Sequence, residues 1–257
     1  TMQQEIKGLI LAAGRGSRLG SMTEAQPKGM VTLGGRSLIE WQLSSLRAAG
    51  VKDIAIITGY RSDVLDVWGL PTFHNERWAD TNMVMSLTAA SEWLETKTCI
   101  VSYADIFYAH SDVTNLIELD SNIGVAYDPH WRTLWEQRFD DPHADAESFS
   151  LDGNRISDIG RPTKAGDKID GQYLGLIKVA PEGWRSIATL IDSHEPSQRD
   201  RIDMTTLLRL LIESGQDVYG SEVENEWGEV DHPSDLAFYE QRLATGAYPW
   251  AHDIGLA

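Results

Sequence analysis

The stretch Leu11-Ala12-Ala13-Gly14-Arg15-Gly16-Ser17-Arg18-Leu19-Gly20 decides how the chain is read. Gly8 to Ala13 is apolar enough for a buried strand, and the glycines that follow break it. Ser37-Leu38-Ile39-Glu40 matches a capping box, and Ile39, Leu43 and Leu46 give the ensuing helix one apolar face before Gly50 stops it. Strand, glycine loop and helix thus follow in order. Asp53 to Thr58 reads as the next strand and Ser62 to Trp68 as a helical crossover. From Thr81 onward, Met83, Leu87, Ala90 and Leu94 recur on one helix face, and Thr98 to Tyr103 is again strand-like, running into Ala104-Asp105. The alternation predicts an α/β fold with a Rossmann-like, doubly wound, mostly parallel sheet. Ligands of such sheets sit beyond the carboxyl ends of the strands, where the glycine loop and Asp105 both fall.

The second half is patterned differently. Glu147 to Leu151 and Arg155 to Ile159 flank Asp152-Gly153-Asn154, a hairpin signal, so an inserted antiparallel acceptor-side subregion is expected over roughly 128–180. Tyr173 to Val179 offers a further strand. Helices are expected near Pro181 to Ile191, over Asp203 to Ser214 and from Pro233, since proline suits a first helical turn. The chain reads as a single domain over 1–245, with 246–257 as a loose C-terminal tail.

At 257 residues, 42% hydrophobic and 24% charged, this is ordinary globular composition. Its 39 acidic against 22 basic residues give a formal charge of -17. That excess repels a nucleic-acid backbone or an anionic membrane, so neither is expected as a partner, and any phosphate ligand needs local positive charge or a metal. Cys99 is the only cysteine, which excludes an intrachain disulfide and a multi-cysteine zinc cluster and suits a reducing compartment. Thr1 to Lys7 lacks the pattern of a secretory signal, and no apolar run approaches the roughly 20 residues of a membrane span. A cytoplasmic protein is expected, and the pattern is compatible with a homodimer.

Two phosphate-binding signatures fail at the glycine loop. A dinucleotide fingerprint needs glycine or alanine where Leu19 stands, and a Walker loop needs glycine there followed by lysine. What remains is a loop whose glycines let backbone amides approach phosphate oxygens, with Arg18 and Lys28 adding positive charge. The alternative is a structural glycine turn with a surface arginine. The seven histidines show no metal-ligand spacing, and Ser17 has no recognisable His and Asp partners for a hydrolase triad.

The segment resembles the nucleoside-triphosphate transferase family, in which such a loop precedes a Pro-Lys pair, here Pro27-Lys28; Gly34-Gly35-Arg36-Ser37-Leu38-Ile39 is also typical. The resemblance implies that Arg18 and Lys28 contact a triphosphate and stabilise charge as its α-phosphate is attacked. Such an attack brings negative charges together, which calls for Mg²⁺ and hard oxygen ligands. Asp105 and Asp231, the latter in Glu229-Val230-Asp231, match the family's two metal-binding aspartates, with a strand-end turn and a helix cap as their structural alternatives.

From about residue 7 to about residue 243 the chain further resembles the phosphocholine cytidylyltransferase branch and its phosphonate-activating relatives. The carrying segments are residues 75–82, 131–138, 145–149, 171–175, 203–205 and 227–231. This implies CTP as donor, held by Leu11, Ala12, Ala13, Gly14, Gly16 and Ser17, with Ala79 and Thr81 near the base. It also implies an acceptor bound by Asn82, Trp131, Trp135, Glu147, Tyr173, Trp227 and Glu229. Aromatic faces bind cationic amines, with Glu147 or Glu229 as counter-charge; simple helix packing of Trp131 and Trp135, spaced i and i+4, is the alternative. The expected reaction transfers CMP to a phosphate or phosphonate of a small amine-bearing acceptor, releasing pyrophosphate. Phosphocholine, 2-aminoethylphosphonate, related phosphonates and a phosphorylated amino acid amide stay open as acceptors. The rival readings are a sugar-1-phosphate nucleotidyltransferase and an inactive nucleotide-binding regulator.

Overall fold

The computed structural model describes residues 5–256; Thr1 to Gln4, read above for a secretory signal, and Ala257 lie outside the described residues. Its spine is a nine-stranded sheet. In chain order the strands are β1 (Ile6–Ala12), β2 (Asp53–Thr58), β3 (Thr72–His74), β4 (Thr98–Tyr103), β5 (Ile123–Asp128), β6 (Glu147–Asp152), β7 (Arg155–Pro162), β8 (Gln172–Val179) and β9 (Tyr219–Glu222). They lie side by side as β3-β2-β1-β4-β8-β5-β9-β7-β6. β1 pairs in parallel with β2 and β4, β2 with β3, and β5 with β9. β8 runs against both β4 and β5, so the start of β8 lies at the edge where β1 and β4 end.

β1 owes its central place to its side chains. Leu9 and Ile10 are both fully buried, and consecutive strand residues point to opposite faces. Leu9 joins Val84, Leu87, Val101 and Ile177 in one layer; Ile10 joins Leu43, Ile54 and Leu116 in the other. The helix Leu38–Ala48 (α1) covers the second face through Ile39, Leu43 and Leu46. Its capping box forms as expected: the Glu40 N–H donates to Ser37 Oγ at 3.2 Å and the Ser37 N–H donates to Glu40 Oε2 at 2.7 Å.

Three expectations are revised. The apolar run from Met83 to Leu94 is not one helix but two, Met83–Thr88 (α2) and Ser91–Leu94, because Ala90 leaves the helical region at φ -99, ψ 20 while its methyl stays buried. The antiparallel stretch is less separate than its pattern suggests: β6 and β7 extend one edge of the main sheet, and β8 lies in the sheet's middle. Its residues alternate little, since both faces of β8 are covered from Leu174 to Val179.

The third revision concerns 246–257. Tyr248, Trp250, Ala251 and Leu256 are buried against Trp41, Phe107 and Tyr239. Trp250 meets Trp41 edge-on at 5.9 Å between ring centroids, and its Nε1–H donates to the Glu226 carbonyl at 3.0 Å. The segment is thus an anchored cap. No helix among the described residues is long and apolar enough to cross a membrane. Trp250→Ala removes a large side chain that is only 5% exposed, and chemical denaturation is expected to show a loss of about 3–5 kcal/mol. A midpoint equal to wild type would return the segment to a loose tail.

Candidate active site

β1 ends beneath a loop that closes over the sheet edge. Gly16 sits at φ +72, a left-handed conformation suited to glycine. A Cβ there would lie 2.7 Å from Lys28 Cβ, so the glycine also gives the lysine stem its passage. Thr23 Oγ1 donates to the Gly16 carbonyl at 3.1 Å, and the Tyr60 hydroxyl donates to the carbonyls of Thr23 and Glu24 at 2.9 and 2.6 Å. Gly59 brings Trp78 close in the same way, since a Cβ would lie 2.5 Å from Trp78 Cβ and 2.7 Å from the Ala13 carbonyl oxygen.

A cavity opens beside this loop. Leu11, Ala12, Ala13, Gly14 and Gly16 line it. Lys28, Asp105, Trp78, Thr81 and Asn82 also line it. Thr81 and Asn82 are held firmly: Asn75 Nδ2 donates to Thr81 Oγ1 at 2.9 Å, and Asn82 caps α2. Ser17 and Ala79 are exposed and do not line the cavity.

The charged centre depends on a two-residue pairing. Ile106–Phe107 pairs antiparallel with Gly228–Glu229, and the Val230 N–H donates to the Asp105 carbonyl at 2.9 Å. Carboxylate oxygens of Asp105, Glu229 and Asp231 consequently lie within 4.8 Å of one another. Lys28 Nζ donates to Asp105 Oδ2 at 2.5 Å and also to Asp231 Oδ1. Arg18, its side chain 61% exposed, reaches Asp231 Oδ1 at 3.0 Å. Burial works against the Lys28 ammonium, but the charges of Asp105, Asp231 and Glu229 outweigh it and hold lysine above its ordinary value. Burial likewise raises Asp231, yet Lys28, Arg18 and Arg138 outweigh it and keep that carboxyl below its usual range. Glu229 is pushed up to about 8 by burial and by the Asp231 and Asp105 charges.

Glu229 therefore stands inside the carboxylate cluster rather than across from it. The set suits a hard divalent cation, and Asp105 Oδ1 is buried with no hydrogen-bond partner among the described residues.

Behind the cluster lies a pair that sequence reading missed. Arg138, with a fully buried side chain, donates from Nε and Nη2 to the two oxygens of Asp235 at 2.9 and 3.1 Å. Its Nη1 reaches Glu229 at 3.4 Å. Asp235 Oδ2 also accepts the N–H groups of Asp231 and His232, at 2.9 and 3.0 Å. The pair thus fixes the backbone that carries Glu229 and Asp231. The one signal available was an aspartate in the first turn after Pro233, which reads equally well as a helix cap.

The aromatic residues expected on the acceptor side are not brought together as an open wall. Trp131, Trp135 and Trp227 are each 3% exposed and pack on one another, with centroids 6.0 and 5.9 Å apart. Their N–H groups are already committed: Trp135 to Asp145 at 3.0 Å, Trp227 to Asp128 at 2.9 Å and Trp131 to the Ile169 carbonyl at 3.4 Å. Tyr173 differs, because its ring stands edge-on to Tyr103, a cavity residue, at 5.6 Å. Glu147 accepts the Thr205 hydroxyl at 3.2 Å, and burial raises its carboxyl above the ordinary range.

Residues 8–134 match the model of the MobA-like NTP transferase domain. Over 250 residues, 90% of this chain and 98% of the relative, the chain is 32% identical to a CTP:phosphoglutamine cytidylyltransferase of Campylobacter jejuni. The chain belongs to the nucleoside-triphosphate transferase family. This transferase is also 40% identical, over 93 residues, to a choline-phosphate cytidylyltransferase of Streptococcus pneumoniae, a match covering 35% of this chain and 41% of that one. In fold it is similar to the inositol-1-phosphate CTP transferase of T. maritima, with a TM-score of 0.74 at 22% identity, covering 95% of this chain and 96% of that one.

Removing Arg138 leaves Asp235 buried without its guanidinium partner. Arg138→Met is expected to destabilise the transferase by about 3–5 kcal/mol, read from urea unfolding. Wild-type stability would show that Arg138 is not the cation balancing that carboxylate.

Proposed function

We propose that the transferase moves CMP from CTP to the phosphate or phosphonate oxygen of a small amine-bearing acceptor, releasing pyrophosphate. The observation that carries this reading is Lys28 lining the glycine-loop cavity with its Nζ against Asp105 and Asp231. A fixed cation, a carboxylate cluster and a loop open to phosphate oxygens are what nucleotidyl transfer needs in one place.

In this reading the acceptor oxygen forms a bond to the α-phosphorus as the bond to the bridging oxygen of pyrophosphate breaks, and pyrophosphate leaves with the electron pair. No covalent enzyme intermediate is involved. Lys28 and Arg18 offset the negative charge that develops around the α-phosphate. The backbone from Leu11 to Gly16 follows the nucleotide and Thr81 lies toward the base, with Ser17 and Ala79 as exposed neighbours outside the cavity lining. Mg²⁺ is the proposed metal, held by Asp105 and Asp231 with Glu229 beside them, and when bound it screens the charge between nucleophile and triphosphate.

The buried tryptophans bear on the acceptor. An indole packed against other rings, with its N–H already donated, offers no face to a quaternary ammonium. Tyr173, Glu147 and Asn82 are left as the acceptor side, a set better suited to hydrogen-bonding an amine or amide. This favours a phosphorylated amino acid amide over phosphocholine, and it agrees with the whole-length similarity to an enzyme named for phosphoglutamine.

Purified protein with CTP, Mg²⁺ and a panel of phosphoglutamine, phosphocholine, 2-aminoethylphosphonate and sugar 1-phosphates is expected to release pyrophosphate most efficiently with the amino acid amide. Lys28→Ala is expected to lower kcat roughly 10²–10³-fold, the scale for losing one charge-stabilising donor. Preference for phosphocholine would reverse the acceptor argument, and activity confined to sugar phosphates would reverse the amine assignment.

A further inference from the structure

Lys28 serves two masters in this site. It is the cation that lines the nucleotide cavity, yet its Nζ is engaged by Asp105 Oδ2 at 2.5 Å and by Asp231 Oδ1. These carboxylates belong to the three-carboxylate cluster suited to a divalent ion. An ammonium on Asp105 Oδ2 and Asp231 Oδ1 competes with a metal for two of the cluster's oxygens and repels it from the rest, including the unpartnered Asp105 Oδ1.

The lysine is well held, with only 12% of its side chain exposed, whereas Arg18, the other cation on Asp231, is 61% exposed. The Lys28 stem also runs against Gly16, where a Cβ would lie 2.7–2.9 Å from its Cβ, Cγ and Cδ. Its root is therefore fixed beside the glycine loop, while its flexible end reaches the carboxylates.

We propose that Lys28 is a built-in counter-cation that holds the carboxylate pair against a free metal ion and yields it only as a triphosphate draws the ammonium away. This rests on the metal reading given under Proposed function. The consequence is linkage: a metal alone binds against the Lys28 charge, while metal and nucleoside triphosphate together each remove the other's obstacle. A resting site shielded in this way does not collect divalent ions without nucleotide, and its aspartates are never left as adjacent uncompensated charges.

The test is a titration of Mn²⁺ alone, followed by the electron paramagnetic resonance of the free ion, on wild type, Lys28→Met and Lys28→Arg. Lys28→Met is expected to bind Mn²⁺ on the order of 10–100-fold more tightly than wild type, and Lys28→Arg to stay near wild type. A non-hydrolysable CTP analogue is expected to tighten Mn²⁺ binding more in wild type than in Lys28→Met. Equal or weaker Mn²⁺ binding by Lys28→Met overturns the counter-cation role and leaves the metal site standing. Absence of Mn²⁺ binding in every protein, with and without the analogue, overturns the metal reading itself.

Discussion

The antiparallel pairing of Ile106–Phe107 with Gly228–Glu229 is the constraint on which the charged centre depends. Asp105 follows the end of β4, in the half of the chain built from parallel strands; Glu229 and Asp231 precede the last long helix. No contact close in sequence draws these carboxylates together, and Lys28, bridging Asp105 and Asp231, offsets only part of their mutual repulsion. What holds them is backbone: the short ladder, the Val230 N–H on the Asp105 carbonyl at 2.9 Å, and Phe107 buried among Trp41, Tyr239 and Tyr248. The apolar cluster that includes Trp250 and the C-terminal segment is thus the floor under the carboxylates, which links packing far from the cavity to the spacing inside it.

With the carboxylates fixed, the rest is charge accounting. A chain of formal charge -17 has little positive potential to offer a triphosphate at long range. It concentrates cations instead: Lys28 and Arg18 in front of Asp231, and Arg138 behind it. The rear cation is held in two-point contact by Asp235 and also reaches Glu229, while in front Lys28 lines the cavity and Arg18 is largely exposed. Position decides what each does, because a guanidinium locked between two carboxyl oxygens is structural and an ammonium on a flexible stem can change partners.

The parallel half was legible because its signals are local. Ser37 and Glu40 are three residues apart, the apolar run of β2 is uninterrupted, and Asp53–Thr58 and Thr98–Tyr103 have the bounds that pattern alone assigns. Lys28, Asp105 and Asp231 were legible as a set only through resemblance, since each has a plausible structural role by itself. Glu229 was placed on the acceptor side because the sequence shows that it neighbours Asp231 but not which way a two-residue strand turns its side chain. Arg138 and Asp235 were illegible for a similar reason. A buried ion pair 97 residues apart leaves no mark that separates it from two surface charges.

The tryptophans show where composition misleads. Trp131, Trp135 and Trp227 lie in segments that the branch resemblance led us to expect on the acceptor side, and nine tryptophans in one chain invite a reading as binding surface. Yet a tryptophan gains most by burying its rings and satisfying one N–H, and a core beside a ligand site offers both. Asp145, Asp128 and the Ile169 carbonyl take the three N–H groups, and the rings take each other. The cluster then acts at one remove: the helix Trp131–Arg138 is pinned by Trp131 and Trp135 at its first and fifth residues, and its last residue is the arginine that braces Asp235. The aromatic core thereby sets where Arg138 stands, and Arg138 sets where the loop bearing Glu229 and Asp231 can rest.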